Sequence, residues 1–418
     1  MEEIEIREES LSEGKKLCDN RGKNGRGGEP RKVAKNKNKK KVIILALILV
    51  VILGGVAAFL ALNKPKNEEL AANDGKTEEV HYYDNLTGEE IASEEENKGR
   101  INCIQIPNGT DARPQVGLSD AKIVYEAIAE GGITRFAALF RNSNSDVIGP
   151  VRSLRMYYLE WDIPYDCTII HAGGVQAAVD RADNYAHLSE STTYMWRDYS
   201  DYVAPNNLFT SPALLKQFND DNNYIESKPK TFARMTPKES ETELMAKDVA
   251  ASDTNAENEN TEGEAAEKAE SIYVHITTAQ NYNVIYTYDK ATNSYLRAYE
   301  GNSGKHISYN CKNTGKVGNQ IRPQRDCGEA TQLAPKVVVV MKVPEELNSD
   351  NHYREEITTD GSGEVLVFQN GLVKKGTWSR RNAEEQLVFK DENGEILKLA
   401  PGQTWITAIA KSYGYVKY

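Results

Sequence analysis

Histidine and cysteine are scarce, and neither is arranged for chemistry. Six histidines and five cysteines are spread over 418 residues. There is no Cys-x-x-Cys and no paired Cys/His cluster, so neither a metal site nor a cofactor is expected. A nucleophile elbow, a phosphate-binding loop, a dinucleotide fingerprint and a metalloprotease helix are also missing. Without a recognisable catalytic constellation, a non-catalytic role is favoured. Internal repeats are absent too, which removes solenoids and propellers.

Charge and hydropathy, by contrast, are strongly patterned. Residues 1–41 carry 13 Lys+Arg against 8 Asp+Glu, a balance of +5, while the remainder carries 38 against 54, a balance of −16. Between them runs VIILALILVVILGGVAAFLAL, Val42 to Leu62, with no charged residue. At about 1.5 Å per residue a helix of this length spans roughly 31 Å, which matches a bilayer hydrocarbon core of about 30 Å. The run is longer than the apolar region of a cleaved signal peptide, although Val56-Ala57-Ala58 would serve as a cleavage site. No cysteine follows it to carry a lipid. An uncleaved transmembrane helix over 42–62 is therefore expected. Lys35, Lys37, Lys39, Lys40 and Lys41 precede it and only Lys64 and Lys66 follow, which keeps the N-terminus in the cytoplasm and everything after 62 outside. The tail 1–41 is polar and Gly-rich, reads as disordered, and would lie against anionic lipid headgroups. Glu2, Glu3, Glu5, Glu8 and Glu9 dilute its charge, so nucleic acid is not an expected partner.

Beyond the span, 63–100 reads as an acidic spacer. A second acidic stretch, 238–270, has seven acids against Lys268 alone from Asp253 to Glu270 and reads as a flexible linker. Two folded units remain, 101–237 and 271–418. Four cysteines fall outside the membrane. Cys311 and Cys327 flank the polar loop CKNTGKVGNQIRPQRDC, and a disulfide there would stabilise by about 3 kcal/mol.

The expected fold class is α+β: a mixed α/β N-terminal domain followed by a mostly-β C-terminal domain. In the first unit, LSDAKIVYEAIAEGG has helical spacing at Val124, Ala127 and Ile128, with Ser119 as N-cap and Gly131-Gly132 as stop. GITRFAALF reads as a strand, NSNSD as a turn and VIGPV as the returning strand of a hairpin. A helix on SLRMYYLEW ends near Pro164. CTIIHA is a strand, and a second helix starts near Val175. The second unit reads as strands on SIYVHI, YNVIYTYD, SYLRAYE, KVVVVMKV, GEVLVFQ, KKGTWS, QLVFKD and TWITAIA. Turns are expected at Asn370-Gly371 and Asn393-Gly394, and a short helix between Pro344 and Asn348.

The stretches TDARPQVGLSDAKIVYEAIAEGGITRFAALF, IGPVRSLRMYY and IIHAGG, with NLTGEE upstream and GSGEVLVFQNGLVKKGTWS and LAPGQTWI downstream, resemble the YerB-like family of bacterial envelope proteins. The resemblance covers about 85–235 and 270–410. It implies an external, membrane-attached protein with two consecutive domains of unknown function, and it supplies no reaction. The chain departs from the family in two ways. A transmembrane helix stands in place of a lipid-modified cysteine, and Asn206 in APNNLFTS stands where the family shows a histidine.

Arg135, Arg152 and Arg155 are the residues most in need of a reason. A guanidinium fork suits phosphate or carboxylate, and a hairpin would bring Arg135 and Arg152 to one end of a sheet, near His171 in HAGG. An anion-binding site built from these residues is one reading. The other is that Glu126, Glu130 and Glu160 pair with the arginines and lock helix to sheet. Glu126 and Glu130, four apart on a helix, could hold a cation or act as acid and base, or form a solvated edge. Trp378 and Trp405 could stack on a sugar or fill a core. Two functions follow from different classes: a binding or scaffolding component that recognises a wall polymer, a peptide or a partner protein, and an enzyme acting on an anionic wall precursor.

Overall fold

The computed structural model describes residues 80–199, 201–252, 267–301, 304–313, 325–347 and 354–418. The expected cytoplasmic tail, the transmembrane helix over 42–62 and the start of the spacer lie outside these residues. No helix of the described residues is long and apolar enough to cross a membrane.

Runs of β-branched and aromatic residues dictate a fold with many strands and few helices. In chain order the main strands are β1 (Asn102–Pro107), β2 (Ile123–Glu130), β3 (Ile133–Phe140), β4 (Thr168–Ile170), β5 (His187–Leu188), β6 (Ser271–His275), β7 (Val284–Asp289) and β8 (Ser294–Tyr299). They continue with β9 (Val337–Val343), β10 (Gly361–Gln369), β11 (Leu372–Arg380), β12 (Val388–Asp391), β13 (Thr404–Ala410) and β14 (Tyr415–Lys417). The helices are α1 (Met156–Asp162), α2 (Gln176–Ala182), α3 (Pro212–Asp221) and α4 (Pro237–Ser252). The described part of the C-terminal half, from Ser271 on, is mostly β.

Ten strands form one sheet in the order β12-β11-β10-β9-β13-β2-β3-β1-β4-β5. The segments expected as two folded units therefore share a sheet, and Glu79–Tyr418 is one compact unit. The seam is β13, which pairs in parallel with β9 on one side and β2 on the other, Thr404 lying opposite both Val337 and Ile123. A strand in that position is buried on both faces, which explains the unbroken apolar character of TWITAIA and VVVVMKV. On one face Tyr157, Tyr158 and Trp161 of α1 pack over Tyr125, Ala127 and Leu139. On the other, Leu215 and Phe218 of α3 cover Ile104, Val124 and Phe136. A four-stranded sheet in the order β8-β7-β6-β14 covers Val338, Val340 and Phe368 on that same side.

Several expectations are corrected. The segment read as a helix from Ser119 is β2, and Ser119 sits in a short 3-10 turn whose Oγ bonds Asn310 at 3.1 Å. Its apolar residues are buried on both faces, so the alternation that marks a half-buried strand was missing and helical spacing appeared by default. Gly131 and Gly132 do not stop a helix. At φ 58° and 76° they form the two-residue turn joining β2 to β3, the conformation that a type I′ hairpin requires. The hairpin partner of β3 is thus β2. The VIGPV segment makes only isolated bridges, Val116 to Gly149 and Ile148 to Thr210. Between Pro344 and Asn348 the chain is a strand, Glu345–Leu347, paired with Glu355–Ile357. The linker begins as α4, and residues 253–266 lie outside the described part. The end of the spacer is folded: Asp84 lies 3.6 Å from Lys122 and 3.8 Å from Arg141.

Candidate functional site

The β2–β3 hairpin sets the arginines. A register shift between Ile128 and Glu130 breaks the alternation of β2, so Glu126 and Glu130 serve opposite faces of the sheet rather than one helix face. Glu130 takes both Arg135, at 2.8 Å, and Arg155. Arg135 also donates to the Ser153 carbonyl at 2.6 Å. Burial acts to raise the Glu130 carboxyl, but Arg135 and Arg155 outweigh it and hold the group below the usual carboxylate range. Two of the three candidate arginines are therefore used internally, tying α1 to the end of the hairpin.

Glu126 belongs to a different assembly. It has no exposed surface and bonds Arg297 at 2.6 Å, Trp405 Nε1 at 2.9 Å and Thr134 Oγ1 at 3.1 Å. Arg297 in turn donates to the Nδ1 of His306, whose Nε2 donates to Gln115 Oε1 at 3.0 Å. Burial, followed by the charge of Arg297, pushes His306 well below its ordinary value, so the ring is neutral. This network joins strands from the two halves of the sequence. Arg297 and His306 are nine residues apart, but Gln115 is 191 residues from His306 and Glu126 is 171 from Arg297, and no local signal could have grouped them. Trp378 and Trp405 are buried, 1% and 0% exposed, and offer no stacking platform.

Arg152 is left. Its backbone is pinned on both sides: its N–H donates to the Gln105 carbonyl at 2.8 Å and its carbonyl accepts from Ala172 at 3.0 Å. Its half-buried side chain has no hydrogen bond or ion pair among the described residues. Burial lowers its pKa; the charges of Glu130 and Asp111 oppose this, and those of Arg155 and Arg197 reinforce it. Around it the sequence stretches TDARP, GPVRS and APNN converge. Asn206 Nδ2 donates to Asp111 Oδ2 at 2.7 Å, and Arg197 donates to Asn207 Oδ1 at 2.8 Å. Asn206 thus provides the donor that Asp111 needs at the position where a histidine was the family expectation. Asn207 Nδ2 is a buried donor without a partner. Arg197 is itself paired with Glu190, so Arg152 is the guanidinium of this group whose fork is left to hold an anion. Sequence reasoning named Arg152 and missed Asp111, Arg197 and Asn207, although Asp111 lies inside the DAR motif.

His171 does not join the arginines. It is fully buried and bonds the Gly173 carbonyl and His187. Cys311 and Cys327 form a disulfide between paired short strands. A second disulfide joins Cys103 to Cys167, 64 residues apart, and no spacing signal announced it. Asp162 lies beside it, close enough for three-ligand chelation, but the two sulfurs are bonded to each other and offer no thiolate.

The fold and these motifs define a class. The chain belongs to the family described as "Protein of unknown function (DUF3048)", matching its N-terminal domain over residues 86–225 and its C-terminal domain over 272–406. Among relatives it is 26% identical over 317 residues to the "Putative lipoprotein YerB" of Bacillus subtilis, covering 73% of this chain and 80% of that protein. The crystal structure of YerB from Bacillus subtilis shares the fold, with a TM-score of 0.60 at 22% identity, covering 81% of this chain and 100% of the other.

Proposed function

We propose that this chain is a single-pass, membrane-anchored, extracytoplasmic component of the bacterial cell envelope that binds its ligand without transforming it. The ligand is an anionic group on a wall polymer, a peptide or a partner protein. The apolar run Val42–Leu62 with its lysine-rich N-terminal flank supports anchoring with the body outside. The name of the YerB relative as a lipoprotein agrees with membrane attachment, and two disulfides suit an oxidising compartment. The observation that carries the binding reading is that Glu130 pairs with both Arg135 and Arg155, while the side chain of Arg152 has no ion pair or hydrogen bond among the described residues.

The test is a thermal-shift series on the full chain in detergent micelles, with wall fragments, a polyprenyl-pyrophosphate analogue and inorganic phosphate. A ligand at 100 times its dissociation constant stabilises by about 2.7 kcal/mol. An anion that shifts the wild type but not a folded Arg152→Ala variant supports the reading. An equal shift in both, or none in either, overturns it. Release of a new product from any of these ligands would overturn the non-catalytic part.

A further inference from the structure

Between α1, the start of α2 and the strand Glu355–Ile357 lies a cavity of about 470 Å³, within the size range of small-ligand sites. Met156, Val175, Ala177 and Ile357 form its apolar wall. The acids that line it are unevenly satisfied. Glu160 is held by Arg181 at 2.6 Å and by Thr359, and Asp360 lies 3.2 Å from Arg380. The Glu355 side chain has no hydrogen bond or ion pair among the described residues. Its charged neighbour has its own sign. Glu345 lies opposite Ile357 on the paired strand, and so on the same face as Glu355. Glu345 Oε1 accepts from Tyr413 at 2.7 Å, but its Oε2 is buried without a partner. Burial lifts the Glu345 pKa to about 7; the Tyr413 bond opposes this and the charge of Glu355 adds to it.

Arg155 lines the same cavity, with its side chain 9% exposed. Two of its nitrogens bond the Leu154 carbonyl and Glu130, and its Nε is a buried donor with no acceptor. The walls thus combine an unpaired carboxylate, an unmet donor and an apolar lining. We propose that this cavity takes a lysine-like side chain of a peptide, with its ammonium beside Glu355 and Glu345 and its aliphatic stem against Met156, Val175, Ala177 and Ile357. An ammonium brings three donors to the unmet carboxyl oxygens, and a methylene stem uses the apolar wall in a way that an inorganic cation does not. Arg155 Nε is the donor left for a carbonyl of the same peptide. Arg152, three residues earlier in the chain, takes the peptide's carboxylate, a point that rests on the reading of Arg152 as the anion-binding residue. Of a wall polymer, a peptide and a partner protein, the cavity selects the peptide.

The experiment titrates the full chain in detergent by calorimetry with N-acetyl-lysyl-alanyl-alanine and, separately, with the same tripeptide acetylated on the lysine amine. The wild type should bind the free amine at least about 10-fold more tightly, as a charge-assisted hydrogen bond implies. Glu355→Gln, at a partly exposed position without a partner, should fold normally and abolish that preference. Ala177→Phe, on the exposed side of α2 where it lines the cavity, should weaken both tripeptides. Equal affinity for the two tripeptides in the wild type, or binding of neither, overturns the proposal. So does a preference that Glu355→Gln leaves intact. Arg152→Ala separates the two readings: it should weaken both tripeptides alike and keep the preference for the free amine. If Arg152→Ala changes nothing while the preference persists, the cavity's ligand stands and the anion reading falls. If inorganic phosphate binds through Arg152 but the amine is not preferred, the anion reading stands and this proposal falls.

Discussion

Replacing Glu126 by glutamine removes the negative charge from an ion pair with no solvent on either side. Glu126 and Arg297 are both 0% exposed and lie 2.6 Å apart. A buried pair of this kind adds little net stability over an apolar replacement, but removal of one partner strands the other charge in a low dielectric at a cost of about 3–5 kcal/mol. The glutamine can keep its amide oxygen at the position that accepts from Trp405 Nε1 and turn its amide nitrogen toward Thr134 Oγ1, a hydroxyl that can accept, so most of the loss comes from the uncompensated guanidinium. In a unit of this size that should lower the melting temperature by on the order of 10 °C. Arg297→Met alone leaves the carboxylate stranded and should cost a similar amount. The double variant, with neither charge, should be more stable than the sum of the single losses implies, by at least about 2 kcal/mol of coupling. Urea unfolding followed by tryptophan fluorescence measures all four proteins, and Trp405 reports directly because it bonds Glu126. A loss below about 1 kcal/mol for Glu126→Gln, or simple additivity in the cycle, would refute the argument. The pair would then be hydrated, and the two halves of the chain would not be sealed together at this point.

Asp162 is fully buried, and burial raises its pKa well above the ordinary value while the bond from Gln105 Nε2, 2.8 Å away, opposes the shift only partly. The unfolded chain therefore releases a proton above about pH 4 that the folded chain retains, and stability is lost as pH rises from there toward the folded pKa. Asp162→Asn should melt higher than wild type at pH 7, with the advantage vanishing below about pH 4; a lower melting temperature at pH 7 would show that the carboxyl is not held neutral. Asparagine can also donate to Gln105 Oε1, which has no partner. The two disulfides should differ in reactivity, because Cys103 is 0% and Cys167 4% exposed whereas Cys327 is half-buried. Mild reductant followed by alkylation and mass spectrometry should open Cys311–Cys327 in the native protein and leave Cys103–Cys167 closed until unfolding. On the loop-entropy estimate, serine substitution costs about 3 kcal/mol for the first bridge and roughly 4 kcal/mol for the second.

Local chemistry determined a good part of this protein. Alternation and β-branched runs announced strands β6 to β13, though not β14 or the short strands between them, and the Asn370-Gly371 turn joins β10 to β11 with positive φ at both residues. SLRMYYLEW and CTIIHA formed the helix and strand that their patterns imply, because each has one apolar face or one short apolar run to bury. Arg152 stood out because an arginine between a Gly-Pro and an apolar run needs a partner. Tertiary structure decided the rest. β2 carried a helical pattern and became a strand because β13, nearly 300 residues later in the chain, covers one edge while α1 and the opposite layer cover both faces. Burial on all sides removes the polar alternation by which a strand is recognised. Which of the three arginines has no ion pair among the described residues depended on a single register shift between Ile128 and Glu130, which turns Glu130 toward Arg135 and Arg155 and leaves Glu126 facing Arg297. The pairings of Cys103 with Cys167 and of His171 with His187 likewise come from strands brought side by side. No sequence interval encodes such contacts, because register and strand order are properties of the whole sheet.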